Sequence, residues 1–230
     1  MKLSHPFLFS SLLTLFFSTG ALPVAHRAAD NAQDLVKLPE PIHDSKTSVE
    51  KALHDRRSLR SYKNLAITLQ DLSQLLWAAQ GISGSGGRRT APSAGALYPL
   101  ELYVIAGNVT GLSNGVYSYD PHKHALSRVL ESDTRGELSK AALGQPSIRK
   151  AAAILVISAV YERVTVKYGE RGIRYAHMEA GHAAENVFLQ AVSLELGTVV
   201  IGAFHDEEVK AVLHLRGQEE PLYLMPVGKK

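Results

Sequence analysis

Residues 151–160 read Ala-Ala-Ala-Ile-Leu-Val-Ile-Ser-Ala-Val, and the reading of this run decides the architecture. Ten uncharged residues rich in Ile and Val are too few to span a membrane, and they suit a strand covered on both faces. Such a strand needs layers above and below it, and helical patterns stand on either side of it in the chain. Downstream, from about Tyr175 to Leu196, Ala180, Ala183, Ala184, Val187, Ala191 and Leu194 fall near one helical face, with Gly197 placed to end the helix. So many alanines imply close packing against another helix or a second copy of the chain. Upstream, Thr68 and Asp71 open a helix whose Leu69, Leu72, Leu75, Leu76 and Ala79 recur at helical spacing, and Gly81 offers a left-handed terminating residue.

The remaining segments fill in the layers. Leu100 to Ala106 alternates as a strand, and Gly115 to Tyr119 with Ala125 to Val129 reads as a hairpin around Asp120-Pro121. A short helix is expected over Arg135 to Leu143, a strand at Thr198 to Ile201, a helix from Asp206 to Leu213 and a last strand at Leu222 to Val227. The alternation describes an α+β, layered α/β fold with a mixed or mostly antiparallel sheet. Thr47 and Glu50 have capping-box spacing, so the folded body is expected to start near Thr47 and to run over 47–230 as one domain. Residues 26–46, with Pro39 and Pro41 and no periodicity, read as an extended lead-in.

Residues 1–25 have the layout of a secretory signal. Lys2 precedes the apolar run Phe7 to Phe17, small residues follow at Gly20, Ala21 and Ala25, and a polar stretch begins at His26. The expectation is an exported protein, periplasmic or secreted, with no stable membrane insertion once the signal is cleaved; the alternative is an uncleaved anchor. A net charge of +3 comes from 25 basic residues scattered among 22 acids, which gives no basic stripe for nucleic acid. Cysteine is absent, so redox chemistry has to come from a bound cofactor.

Four segments and the C-terminus can carry chemistry. Arg56, Arg57, Ser58 and Arg60 lie within five residues after a helix, and guanidinium forks match phosphate oxygens; taken alone, the run is better explained as a solvated basic loop or a surface pair with Asp55. Pro92, Ser93, Ala94 and Gly95 are small enough to let main-chain amides and a hydroxyl approach a flat ring. Ser93 as a hydrolase nucleophile lacks the Gly-x-Ser-x-Gly elbow. The segment Lys167 to Tyr175 packs cations and phenols ahead of the long helix, where Lys167 and Tyr168 can exchange protons or merely line an exposed helix entry. Gly202 and Ala203 break a strand where an amide can face a ligand, and Lys229 with Lys230 close the chain after its last strand. His177 and His182, five apart on a helix, do not share a face, and no metal site is expected.

In order and spacing, RRSLRSY, LSQLLWAAQGI, APSAGALYPLELYVI, GVYSYDPHKHAL, KYGERGIRYAHMEAGHAAENVFLQA, IGAF and EEPLYLMPVG resemble the nitroreductase superfamily, most closely its SagB-type dehydrogenase branch of thiazole- and oxazole-forming oxidases. The likeness covers about residues 50–230. It implies a homodimer holding two FMN at the subunit interface, a central sheet flanked by helices, and hydride exchange through the flavin with small-molecule redox substrates. Arg56, Arg57, Ser58 and Arg60 match the family's phosphate-binding run, Pro92 to Gly95 the segment edging the isoalloxazine, and Gly202 and Ala203 the loop near the flavin. Lys229 and Lys230 stand where members place a basic phosphate contact, and Lys167 and Tyr168 match the catalytic Lys-Tyr pair of the azoline-oxidising branch. The resemblance leaves two alternatives open: a noncatalytic exported flavin-binding protein, and an azoline peptide dehydrogenase.

Overall fold

The structure, a computed structural model, describes Met1 and residues 35–230. The rest of the expected signal segment and the start of the lead-in lie outside the described residues. In chain order the elements are β1 (Leu35–Lys37), α1 (Val49–Asp55), β2 (Ile67–Thr68), α2 (Leu69–Gln80), β3 (Leu100–Ala106), β4 (Val109–Thr110), β5 (Gly115–Asp120) and β6 (Ala125–Leu130). There follow α3 (Arg135–Ala141), α4 (Pro146–Lys150), β7 (Ala153–Val160), α5 (Glu162–Tyr168), α6 (Arg171–Ser193), β8 (Leu196–Thr198), α7 (Asp206–Leu213) and β9 (Glu219–Lys229).

Seven strands form one sheet in the order β1-β6-β5-β3-β7-β9-β8, every neighbouring pair antiparallel. The expected α+β, mostly antiparallel architecture is borne out. The run that decides it, now β7, lies between β3 and β9 and alternates between two cores. Its Leu155 and Ile157 face the layer of α2 and α6, together with Leu72, Leu75, Leu76, Ala180, Ala183 and Val187. Ile154 and Val156 face the other layer with Leu138, Ile148, Val209 and Leu213 of α3, α4 and α7. Both faces of the strand are therefore dry, which is why its sequence lacks polar alternation.

The Thr68–Asp71 capping box forms, Asp71 N donating to Thr68 Oγ1 at 3.0 Å and Thr68 N to Asp71 Oδ2 at 3.0 Å. Elsewhere the boundaries move. Ser48, not Thr47, caps α1, accepting from Lys51 N, because the chain is still extended at Ser48. Gly81 does not turn left-handed: it leaves α2 extended at φ −66°, ψ 155°, after donating to the Trp77 carbonyl. The long helix starts at Arg171 and ends at Ser193, so Gly197 belongs to β8 and the expected strand at Thr198 to Ile201 is displaced. The alanine face packs on α2 and α5 of the same chain.

Part of the lead-in also belongs to the fold. β1 adds to the sheet against β6, Leu38 N donates to the His124 carbonyl, and Ile42 N donates to Gln74 Oε1. The folded body thus begins by Leu35 rather than Thr47; a three-residue edge strand carries too short a pattern to be read from sequence. No helix of the described residues is long and apolar enough to cross a membrane.

The last strand runs on to Lys229, and its end carries the segment 58–63. Ser58 bridges Thr198 of β8, Leu59 N donates to the Thr198 carbonyl, and Lys63 N donates to the Lys229 carbonyl. Gly197 and Gly228 are cross-strand partners, and on them sit Leu59 and Tyr62. A Cβ on Gly228 would stand 2.6 Å from Tyr62 Cβ. Tyr62 donates to the Leu59 and Pro226 carbonyls at 2.8 and 3.1 Å, and burial pushes its phenol pKa up. Gly228→Ala is expected to cost about 1–3 kcal/mol through overpacking, measured by urea unfolding, and to cost much less in a Tyr62→Gly background, which also removes the Cβ it would strike.

Candidate active site

The arginine run begins as the C-cap of α1. Arg56 lies half-buried with its guanidinium 5.1 Å over the Phe188 ring and Nε 3.9 Å from Glu185 Oε1, both on α6. Arg57 Nη1 donates to the His54 and Arg56 carbonyls at 2.8 and 2.7 Å, which curls its side chain back over the helix end. Asp55 does not pair with the run: Lys51 and His54 take it and hold its carboxyl down at about 2. Among the described residues, neither Arg57 nor Arg60 pairs with a carboxylate, so their charges remain available to an anion. The structure brings Lys229 to the same sheet edge but engages its amine, Nζ donating to Asp71 Oδ2 at 3.1 Å. That ion pair ties the start of α2 to the end of β9. Lys230 follows, exposed.

A second group gathers around Pro92 to Gly95. The loop makes a tight turn with Gly95 at φ 63°, and Ala96 and Tyr98 also lie in the left-handed region at φ 54° and 46°. Non-glycine residues there are strained, and such strain persists where surrounding structure holds it. Ser93 Oγ accepts from Tyr98 N at 2.9 Å. Lys167 and Tyr168 are not in a helix-entry loop: they end α5, and Gly169, at φ 57°, ψ −153°, turns the chain into α6. That backbone region is open essentially to glycine alone. The turn aims both side chains at the loop. A Cβ on Gly95 would lie 2.7 Å from Tyr168 Oη and 3.0 Å from Lys167 Nζ. Tyr175 meets the Tyr168 ring edge-on at 5.2 Å.

Behind this loop lies a buried polar cluster that sequence reasoning missed. Glu179 is 2% exposed, the one charged residue on the buried face of α6, and neither of its carboxylate oxygens makes a hydrogen bond of ordinary length. Burial raises its pKa to about 7, while Ser93, Arg89 and Gln80 lie close enough to oppose that shift only in part. Gln80, 1% exposed, accepts from Arg89 Nη1 at 2.8 Å, and Arg89 stacks 4.5 Å over the Tyr98 ring. Gln80 Nε2 and Arg89 Nε have no partner either. The signal in the sequence is an acid between Ala176 and Ala183 on an otherwise alanine-rich stripe.

Gly202 and Ala203 follow the bridge from Ile201 to Leu224; both are exposed, and the Ala203 carbonyl accepts from Gln145 Nε2 at 3.1 Å. Among the described residues, no hydrogen bond or ion pair joins them to either group above. A cleft of 460 Å³ between the lead-in, α1, α2 and α6, lined by His43, Trp77, Asn186 and Gln190 among others, contains none of the candidate site residues read from the sequence. Among the described residues, no hydrogen bond or ion pair joins the arginine run to the Pro92–Gly95 group. Both groups reach α6, at Glu185 and Phe188 and at Glu179, respectively.

An antiparallel sheet between helical layers, with a cationic run on one edge and a small-residue loop faced by a lysine and a phenol, defines an oxidoreductase fold of nitroreductase type. The chain belongs to the nitroreductase family, whose model matches residues 53–229. It is 48% identical over 195 residues to a nitroreductase-like protein of Methanocaldococcus jannaschii, covering 85% of this chain and 96% of that one. It is 31% identical over 156 residues to the microcin B17-processing protein McbC of Escherichia coli, covering 65% of this chain and 57% of McbC. Among solved structures, a nitroreductase-like protein of Ralstonia eutropha superimposes with a TM-score of 0.76 at 31% identity, covering 85% of this chain and 89% of that one.

The raised pKa of Glu179 fixes the sign of a stability effect. The folded state holds the proton more tightly than the unfolded chain, so the contribution is complete below the ordinary glutamate value of 4.5 and is lost as pH rises to about 7. The loss is on the order of 3 kcal/mol. Glu219, also raised by burial, acts in the same direction. Urea unfolding between about pH 4.5 and 8 is therefore expected to show falling stability in the wild type and a markedly shallower fall in Glu179→Gln.

Proposed function

We propose that this chain is an FMN-dependent oxidoreductase, exchanging hydride through the flavin between a small-molecule donor and acceptor, and that it works as a homodimer after export. The observation that carries the reading is the convergence of Lys167 Nζ and Tyr168 Oη on Gly95, in a loop built of small residues. A Cβ at position 95 would collide with those two groups, so glycine is what lets the phenol and the amine come this close to the loop. Arg57 and Arg60, with Ser58 between them, offer donors suited to a phosphate. The residues present fit a flavin mononucleotide. The flavin, when bound, would supply the hydride chemistry.

The chain's own part is binding, orientation and proton handling. Arg57, Ser58 and Arg60 grip the phosphate, with Arg56 holding the run against Phe188 and Lys230 adding charge from the chain end. Lys229 serves mainly through Asp71, keeping the strand end and α2 together. Pro92, Ser93, Ala94 and Gly95 orient the ring, and Gly202 and Ala203 present backbone near it. Lys167 Nζ and Tyr168 Oη hold or deliver a proton at the loop face. A homodimer is supported by apolar side chains left exposed on neighbouring helices: Val49 and Leu53 of α1 and Met178 of α6. Export rests on the sequence of residues 1–25.

A second reading, oxidation of azoline rings in a peptide, is favoured by the Lys167-Tyr168 pair itself and by the likeness to McbC. Purified protein is expected to be yellow, to bleach with dithionite and to recover its colour in air. Arg57→Ala and Arg60→Ala should each weaken FMN binding roughly tenfold to a hundredfold, the worth of a charge-assisted hydrogen bond. Lys167→Ala and Tyr168→Phe should lower kcat while FMN stays bound. Protein that is colourless and gains no heat stability from FMN would defeat the proposal; yellow protein that no donor reduces would leave a flavin-binding protein without turnover.

A further inference from the structure

The Lys167-Tyr168 pair approaches the Pro92–Gly95 loop from one side, and Glu179 lies under it from another. Nothing in the proposed chemistry uses this carboxyl, yet it is buried to 2% exposure with both oxygens lacking ordinary hydrogen bonds. An acid is a costly occupant of such a place unless its proton or its charge has a partner. Its neighbours are few. From α2 comes Gln80, whose Nε2 is itself unpaired, and from the loop come Arg89 and Ser93. Arg89 in turn feels Glu101, Arg163 and Tyr98, while Lys167 and Tyr168 of α5 stand beyond Ser93 at Gly95. On α6 no other charged residue is buried.

Ser93 is the group through which Glu179 can act on the loop. Its Oγ already accepts from Tyr98 N, so its own proton is the free half of the hydroxyl. An ionised Glu179 would draw that proton inward. A protonated Glu179 carries its own donor and releases the Ser93 hydroxyl to the outer side of the loop. We propose that Glu179, buried and unpartnered beneath the loop, is a positioning residue, and that through Ser93 it sets the hydrogen bond the Pro92–Gly95 loop offers to a ligand. The proposal deepens the FMN reading and rests on it for the identity of that ligand. Its protonation belongs to the chain alone. The raised pKa puts the change of state near neutral pH.

Two arms test this. Infrared spectra of the flavin-free protein at about pH 6, below the raised carboxyl pKa, are expected to show a carboxylic acid band that is absent from Glu179→Gln and shifted in Ser93→Ala. FMN titration by fluorescence from about pH 5.5 to 8.5 is expected to show affinity falling about fivefold in the wild type, the worth of one net hydrogen bond. Glu179→Gln, which cannot titrate at that position, should lose this component and keep only the dependence that comes from the second ionisation of the FMN phosphate, at about pH 6. A missing acid band in the wild type overturns the proposal, and so does a band indifferent to Ser93→Ala or the same pH dependence in wild type and Glu179→Gln. If FMN fails to bind at any pH, the FMN reading falls, and the infrared arm still decides whether Glu179 acts on Ser93.

Discussion

The contact on which the site depends is made by two glycines that face each other across β8 and β9. Gly197 and Gly228 leave the end of the sheet bare, and the Leu59 side chain and the Tyr62 ring lie directly on it. With Tyr62 hydrogen-bonded to the Leu59 and Pro226 carbonyls and Leu59 N to the Thr198 carbonyl, the segment following α1 behaves as an irregular extra strand of the sheet edge. This matters for chemistry because three arginines precede or interrupt that segment. Flexible cations on a free loop would lose rotamer and backbone entropy on binding an anion, whereas here the backbone is already held. The same edge contains Lys229, whose pairing with Asp71 links it to the capping box of α2.

α6 is the second organising element. Its first half is covered by α5 and by the strained loop at Ser93, and its second half meets Arg56 through Phe188 and Glu185. The alanine stripe brings the neighbouring backbones close enough that Gly172 is needed under α5, where a Cβ would fall 2.8 Å from the Val164 carbonyl carbon. Rigid packing on that stripe is what allows one residue of different character, Glu179, to exert a directional effect instead of being solvated or displaced. Left-handed Ala96 and Tyr98 sit at the same place, so strain and an unsatisfied acid are concentrated beneath one short loop. Concentration of two costs in one locality is the pattern expected of a functional surface.

Legibility in the sequence follows periodicity. β7 and β3 are buried on both faces and carry long apolar runs, the β5–β6 hairpin straddles a turn signal, and α2 and α7 combine helical spacing with acidic starts. All of these can be read to within a few residues. α5 escapes such reading because its seven residues leave Val166 exposed, so it has little amphipathic pattern, and β1 escapes it because three residues cannot show alternation. The arginine run and the Pro92–Gly95 loop are visible as residue types, but whether they form a site or a solvated surface depends on what lies opposite them. That information is register: Gly197 faces Gly228 only once β8 and β9 are paired, and Gly95 meets Tyr168 only once Gly169 has turned α5 into α6.

The residues that sequence reasoning missed share one property, which is that each acts by holding another. Tyr62 holds the arginine segment, Arg89 and Gln80 hold each other beneath the loop, and Glu179 stands against Ser93. A side chain that binds ligand has to be of a particular chemical type, and type is what a sequence displays. A side chain that supports it needs to be in a particular place, and several types can serve there, so nothing in composition or spacing marks it. The exception is a supporting residue whose type is costly where it stands. Glu179 is such a case: a carboxyl on an alanine face is unfavourable enough that its presence is itself informative, and the lack of ordinary hydrogen bonds to either oxygen points to a role that packing alone does not explain.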